Sequence, residues 1–96
     1  MKYPLKIKPG AEGDLNYYNP YIRRLIAEAI SDQLQNDADI QTKKKKKLRD
    51  NPIAPWELKI GDYRVFYEID RETVIVLAVG HKEHNSLFIR GKKVEI

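Results

Sequence analysis

Residues 56–60 and 63–69 change side-chain character with the period of two that marks strands. In Trp56-Glu57-Leu58-Lys59-Ile60, the residues Trp56, Leu58 and Ile60 share one face and Glu57 and Lys59 the other, because successive strand side chains point to opposite sides. Tyr63-Arg64-Val65-Phe66-Tyr67-Glu68-Ile69 repeats the pattern, with Tyr63, Val65, Tyr67 and Ile69 opposed to Arg64, Phe66 and Glu68. A third run, Val74-Ile75-Val76-Leu77-Ala78-Val79-Gly80-His81-Lys82, completes three consecutive antiparallel strands. Gly61-Asp62 and Asp70-Arg71-Glu72-Thr73 are the tight turns between them. One apolar face suffices to pack a sheet on helices, so Glu57, Lys59 and Arg64 can stand together on the uncovered face. Acid and base held on a rigid sheet suit phosphate chemistry. Trp56, Tyr63 and Tyr67 are assigned to the core.

The flanking segments supply the cover. Residues 3–8 alternate well enough for a short strand, with Pro4 tolerable at its start or edge, and Pro9-Gly10 ends it. Residues 11–18 suit a short helix with Leu15 and Tyr18 turned inward, although Gly13 disfavours it. Asn19-Pro20 is a helix start, with Asn19 as N-cap and Pro20 in the first turn. Ile22, Leu25, Ile26, Ala29, Ile30 and Leu34 then recur at helical spacing over about five turns, leaving Arg23, Arg24, Glu28 and Asp32 in water. Asn36 to Asp39 ends the helix, five consecutive lysines follow, and Asn51-Pro52-Ile53-Ala54-Pro55 makes a turn-rich connector. After His81 the chain turns through Glu83-His84-Asn85. Leu87-Phe88-Ile89, Gly91 and Val94-Glu95-Ile96 form a final short strand or hairpin. The expectation is one α+β domain over residues 1–96: an N-terminal strand and a two-helix hairpin on a twisted, mainly antiparallel sheet.

A chain of 96 residues can bury one modest core. With 33% charged residues and no long apolar run, a soluble protein without a membrane span is expected. The start, Met1-Lys2-Tyr3-Pro4-Leu5-Lys6-Ile7, lacks the features of a signal peptide. The absence of cysteine excludes disulfides and thiolate metal sites and fits a cytoplasmic protein. Residues 1–42 carry five basic and six acidic side chains, whereas residues 43–96 carry thirteen and eight. The basic excess in the sheet half suggests a polyanionic partner, most simply nucleic acid, and ordinary solubility charge accounts for it equally well.

The helical hairpin and basic connector lead into "WELKIGDYRVFYEID", "VIVLAVGHKE" and "LFIRGKKVEI". Together they resemble the RelE/ParE superfamily of toxins from type II toxin–antitoxin systems, most strongly over residues 48–91. The resemblance implies a compact RelE-like toxin fold neutralised by a cognate antitoxin. It also implies either mRNA cleavage in the ribosomal A site, as in RelE-like members, or poisoning of DNA gyrase, as in ParE-like ones. A member that only binds its antitoxin, and operator DNA through that complex, is the third possibility. On the family pattern the strand arginine falls on Arg64 and a basic residue of the preceding strand on Lys59, while a further family position in that strand is acidic here, Glu57. A basic residue after the Val-Gly segment falls near Lys82, with His81 beside it. The C-terminal tyrosine of some members falls on Phe88, which cannot exchange a proton.

Metal-independent RNA cleavage needs a base for the 2′-hydroxyl, a cation for the developing phosphorane charge and an acid for the leaving oxygen. Arg64 suits the phosphate because guanidinium stays charged and binds bidentately. The plainer alternative is an ion pair with Glu57 or Glu68. Glu57 or His81 could be the base, and imidazole is better matched to neutral pH. Lys59 and Lys82 would hold the scissile phosphate and its neighbours. Lys43, Lys44, Lys45, Lys46 and Lys47 would dock the RNA backbone, unless they form a solvated segment. Phe88 would stack on a base or sit under the last strand. His81 and His84 invite a metal only weakly, lacking a third ligand. No metal or cofactor is expected; the partners expected are an antitoxin, the ribosome and mRNA.

Overall fold

A computed structural model describes residues 3–95. Met1 and Lys2, and Ile96 of the expected last strand, lie outside the described residues. Strand β1 (Leu5–Ile7) runs into helix α1 (Pro9–Asn16), and α2 (Pro20–Leu34) follows. The Asn19 side chain accepts the Ile22 amide at 2.9 Å with Pro20 in the first turn, which is the expected cap and start. Helix α2 spans 15 residues and buries Ile26, Ile30 and Leu34, a narrow stripe of i, i+4 spacing. Leu25, expected inward, is on the exposed flank, because it lies about 100° around the helix from Ile26.

Strands β2 (Lys45–Lys47), β3 (Trp56–Ile60), β4 (Tyr63–Asp70), β5 (Thr73–Glu83), β6 (Ser86–Ile89) and β7 (Lys92–Val94) pair in chain order, each antiparallel to the next. β1 joins in parallel beside the first part of β5, Leu5 facing Val74 and Ile7 facing Val76. Strand β2 goes beyond the sequence expectation. Three of the five lysines form an edge strand, with Lys45, Lys46 and Lys47 opposite Leu58, Glu57 and Trp56. Lysine is common on edge strands because its charge discourages further pairing.

One irregularity decides the arrangement of side chains. Phe66 faces Ala78, but Tyr67 faces Val76, so β5 carries Leu77 as an extra residue, a β-bulge. Val74 and Val76 face the helices before the bulge, and Val79 does so after it. Leu77 and Ala78 both turn to the opposite side.

Each face of the sheet therefore has a core. Under the helices lie Ala11, Leu15, Ile26, Ile30, Leu34, Trp56, Leu58, Val65, Tyr67, Val74, Val76 and Val79, with the Trp56 and Tyr67 rings stacked at 5.9 Å. Tyr63, expected in this core, packs against it partly buried. On the other side Phe66, Ala78, Leu87 and Ala54 form a smaller cluster, roofed by Leu48 and Ile53 from the 48–55 connector and by Ile89 and Val94. The face expected to be uncovered is thus only half open.

Candidate functional site

The register separates the expected site residues into two groups. Lys46 pairs with Glu57, Glu57 with Phe66, Lys59 with Arg64 and Arg64 with Gly80. Cross-strand partners share a face, so Lys46, Glu57, Lys59 and Arg64 lie on the side of the small second core. Lys82 pairs with Leu87 of that core and joins them. His81 pairs with Tyr63 on one side and Phe88 on the other, and both it and Phe88 face the helices. The grouping of His81 with Arg64 that the sequence suggested does not hold, since the two point from opposite faces.

Arg64 is not a free guanidinium. Its residue is 9% exposed, and Nη1 donates to the carbonyls of Gly61 at 2.8 Å and Tyr63 at 3.0 Å. Nε lies 4.0 Å from Glu57 Oε1, both side chains being largely covered. The arginine thereby clamps the β3–β4 turn, with Glu57 as its counter-charge. This is the ion pair that stood as the plainer alternative, with two carbonyl bonds added. Lys59 beside it is exposed.

The lysine run divides as well. Lys43, Lys44, Lys46 and Lys47 are exposed, whereas Lys45 is 4% exposed. Its Nζ donates to the Asp37 carbonyl at 2.7 Å and the Gln33 carbonyl at 3.4 Å. Lys45 sits on the helix side of β2, opposite buried Leu58, and closes the C-terminal end of α2. A phosphate cannot reach it there, which corrects its place among the expected RNA contacts.

The groups best disposed for chemistry meet where β5 leaves the β3–β4 turn. Tyr18, Asp62, Tyr63, His81, Lys82 and Glu83 line a cleft of about 270 Å³. The Lys82 amide bonds the Asp62 carbonyl at 2.8 Å, fixing the strand end to the turn. Tyr18 Oη is 2.8 Å from His81 Nδ1. Its ring meets those of Tyr63 and His81 edge-on, at 5.4 and 5.8 Å. Phe88 stacks on the other side of the imidazole at 5.7 Å and 17°. His81 Nε2, 3.9 Å from the exposed Glu83 carboxylate, is the nitrogen left over. Burial first, then Tyr63, Tyr17 and Asp14, push the Tyr18 hydroxyl up to about 12. The hydroxyl is therefore protonated at neutral pH and can serve Nδ1 as donor or acceptor. With the proton on Nδ1, Tyr18 accepts it and the Nε2 lone pair faces the cleft, where it can take a proton.

Sequence reasoning pointed to His81, Lys82 and Phe88, which the structure brings to the cleft or its wall, and missed Tyr18, Asp14 and Arg90 around them. Tyr18 was assigned inward without a partner. Asp14 is 6% exposed; its Oδ2 accepts the Val79 amide at 3.0 Å and its Oδ1 the Arg90 Nε at 2.7 Å. The signal was present: Asp14 falls in the inward stripe of α1 with Ala11 and Leu15, and a carboxylate there needs a cation or amide.

Comparison with known proteins agrees with this architecture. Residues 5–85 match the family model described as the ParE toxin of the type II toxin–antitoxin system, parDE. No curated protein sequence matches. Among solved structures, a chain of the toxin–antitoxin complex RelBE2 from Mycobacterium tuberculosis is similar with a TM-score of 0.74 and 26% identity, over 85% of this chain and 93% of that one. The archaeal RelE–RelB complex from Pyrococcus horikoshii OT3 gives 0.68 at 22% identity, over 88% and 99%. The YoeB dimer from Staphylococcus aureus gives 0.61 at 20%, over 88% and 99%. The last two similarities are of fold.

Proposed function

Since the chain belongs to the ParE toxin family of type II toxin–antitoxin systems, within the RelE/ParE superfamily, we propose that it arrests translation by cutting mRNA on the ribosome. The observation that carries this reading is the imidazole of His81, oriented by Tyr18 and Phe88 at the mouth of a cleft beside Lys82. His81 Nε2 removes the proton of a ribose 2′-hydroxyl. The oxygen attacks the adjacent phosphorus, and the bond to the 5′-oxygen breaks. The products are a 2′,3′-cyclic phosphate and a 5′-hydroxyl, whose proton comes from water. Lys82 leaves β5 on the face opposite His81 but lines the same cleft. Its flexible stem can bring the ammonium round the strand end to offset the charge gathering on the phosphorane.

Glu57 leaves the role of base to His81, being held beside Arg64 under partial cover. Arg64 acts by keeping the Gly61–Asp62 turn, and with it the cleft wall, in place. Lys46 and Lys59 on the sheet face, with Lys43, Lys44 and Lys47, attract the RNA backbone. The cognate partner is an antitoxin, as in the complex of the M. tuberculosis relative. An acidic or amphipathic segment laid over the cleft and the basic face would silence the protein by occlusion.

Primer extension on mRNA in programmed ribosomes tests the reading. Wild type is expected to produce a cut in the A-site codon, and His81→Ala to reduce its rate by about 10²–10⁴-fold. The match to a ParE model favours DNA gyrase as the second target. Growth arrest without any mRNA cut, together with inhibited gyrase supercoiling, would replace the nuclease reading with that one.

A further inference from the structure

The β6–β7 hairpin is fastened to α1 by a polar lock that no step of the cleavage uses. Arg90, in the turn between the two strands, donates from Nε to Asp14 Oδ1 at 2.7 Å and from Nη2 to the Gly10 carbonyl at 2.8 Å. The second oxygen of Asp14 takes the Val79 amide. That amide lies in the stretch of β5 between the residues paired with β1 and those paired with β6. The carboxylate therefore substitutes for a missing strand and is charge-paired in the same contact. Gly13 makes the crossing possible, since a Cβ there would stand 2.2 Å from Arg90 Nη2. A helix position poor in propensity is thus occupied by the one residue over which a guanidinium can lie. Tyr17 closes the other side, its hydroxyl against Gly91.

Two residues before Arg90, on the strand that leads into its turn, is Phe88, whose ring lies against His81. We propose that Arg90 is a positioning residue for RNA cleavage: locked to Asp14 and Gly10, it holds β6 so that Phe88 braces the His81 imidazole in the cleft. The inference rests on the nuclease reading above. The brace stacks on the ring while Tyr18 bonds Nδ1, so losing the brace leaves the ring tethered at a single nitrogen and free to swing.

Gly13→Ala separates positioning from plain stability. The added methyl displaces the end of the Arg90 side chain, and the better helix propensity of α1 offsets part of what the weakened Asp14 pair costs, so this variant should unfold closer to wild type than Arg90→Ala. Arg90→Ala is the direct variant, and Arg90→Lys the conservative one, which can keep the bond to Asp14 without reaching Gly10. The readouts are kcat and KM for cleavage on programmed ribosomes, thermal unfolding, and the nuclear Overhauser contact between the His81 and Phe88 rings. His84, outside the lock, serves as the reference histidine signal. The expected result for Gly13→Ala and Arg90→Ala is a kcat reduced by up to about 10²-fold with KM unchanged. The His81–Phe88 contact weakens, and Arg90→Lys restores part of the rate. Undiminished kcat in a folded Gly13→Ala or Arg90→Ala protein would overturn the proposal. If wild type makes no cut, the nuclease reading fails separately, and the ring contact decides whether Arg90 positions His81. Its persistence in both variants would refute that as well.

Discussion

Tyr18 carries a testable consequence for stability at high pH. Its hydroxyl titrates near 12 in the folded protein against an ordinary 10.0, so the folded state holds this proton more tightly than the unfolded chain. The resulting stabilisation is complete below pH 10 and is lost as pH rises through 12. Allowing for solvent access to the half-buried ring, the loss is on the order of 1 kcal/mol. Urea unfolding between pH 9 and 12 should show wild type losing this increment and Tyr18→Phe lacking it; identical curves would contradict the assignment. The contacts of Tyr18, Asp14 and Arg90 were not legible in the sequence because they close over 63, 65 and 76 residues. His81 and Lys82 were legible because polar residues at the end of an apolar strand stand out. Lys45 was not, since five identical side chains give no clue that pairing with Leu58 turns one of them inward.

Among the elements, α2 and β3–β5 followed from periodicity, which a packed face imposes directly on the chain. Strand β2 did not, because lysines have no apolar period and its pairing depends on β3 being present. The bulge in β5 was equally invisible, as the run from Val74 to Val79 is apolar on both faces. Gly80 marks the tightest point of this region. A Cβ there would come within 2.5 Å of the Phe88 carbonyl, a backbone atom that cannot swing away. Gly80→Ala should therefore part β5 from β6 and cost about 1–3 kcal/mol, measured by denaturant midpoint. It should also loosen the Phe88–His81 stack. A midpoint equal to wild type would show that the strands yield without penalty.

The complete fold combines a net charge of +4 with a sheet face that presents Lys46, Lys59 and Lys82 together. If RNA lies along that face, each lysine lost removes one phosphate contact. Lys59→Ala should then reduce the slope of log affinity against log salt by about 0.7 for single-stranded RNA, whatever its sequence. An unchanged slope would place the strand elsewhere. Composition raised the expectation of a polyanionic partner and periodicity indicated the α+β frame, but neither could say which charges stand on which side. That was settled by Leu77. A strand keeps count of its side chains by twos, and one surplus residue resets the count for everything downstream. Were β5 to run through Leu77 without the bulge, His81 would emerge beside Arg64 while Lys82 turned toward Tyr18. The chemistry of the cleft depends on an odd number.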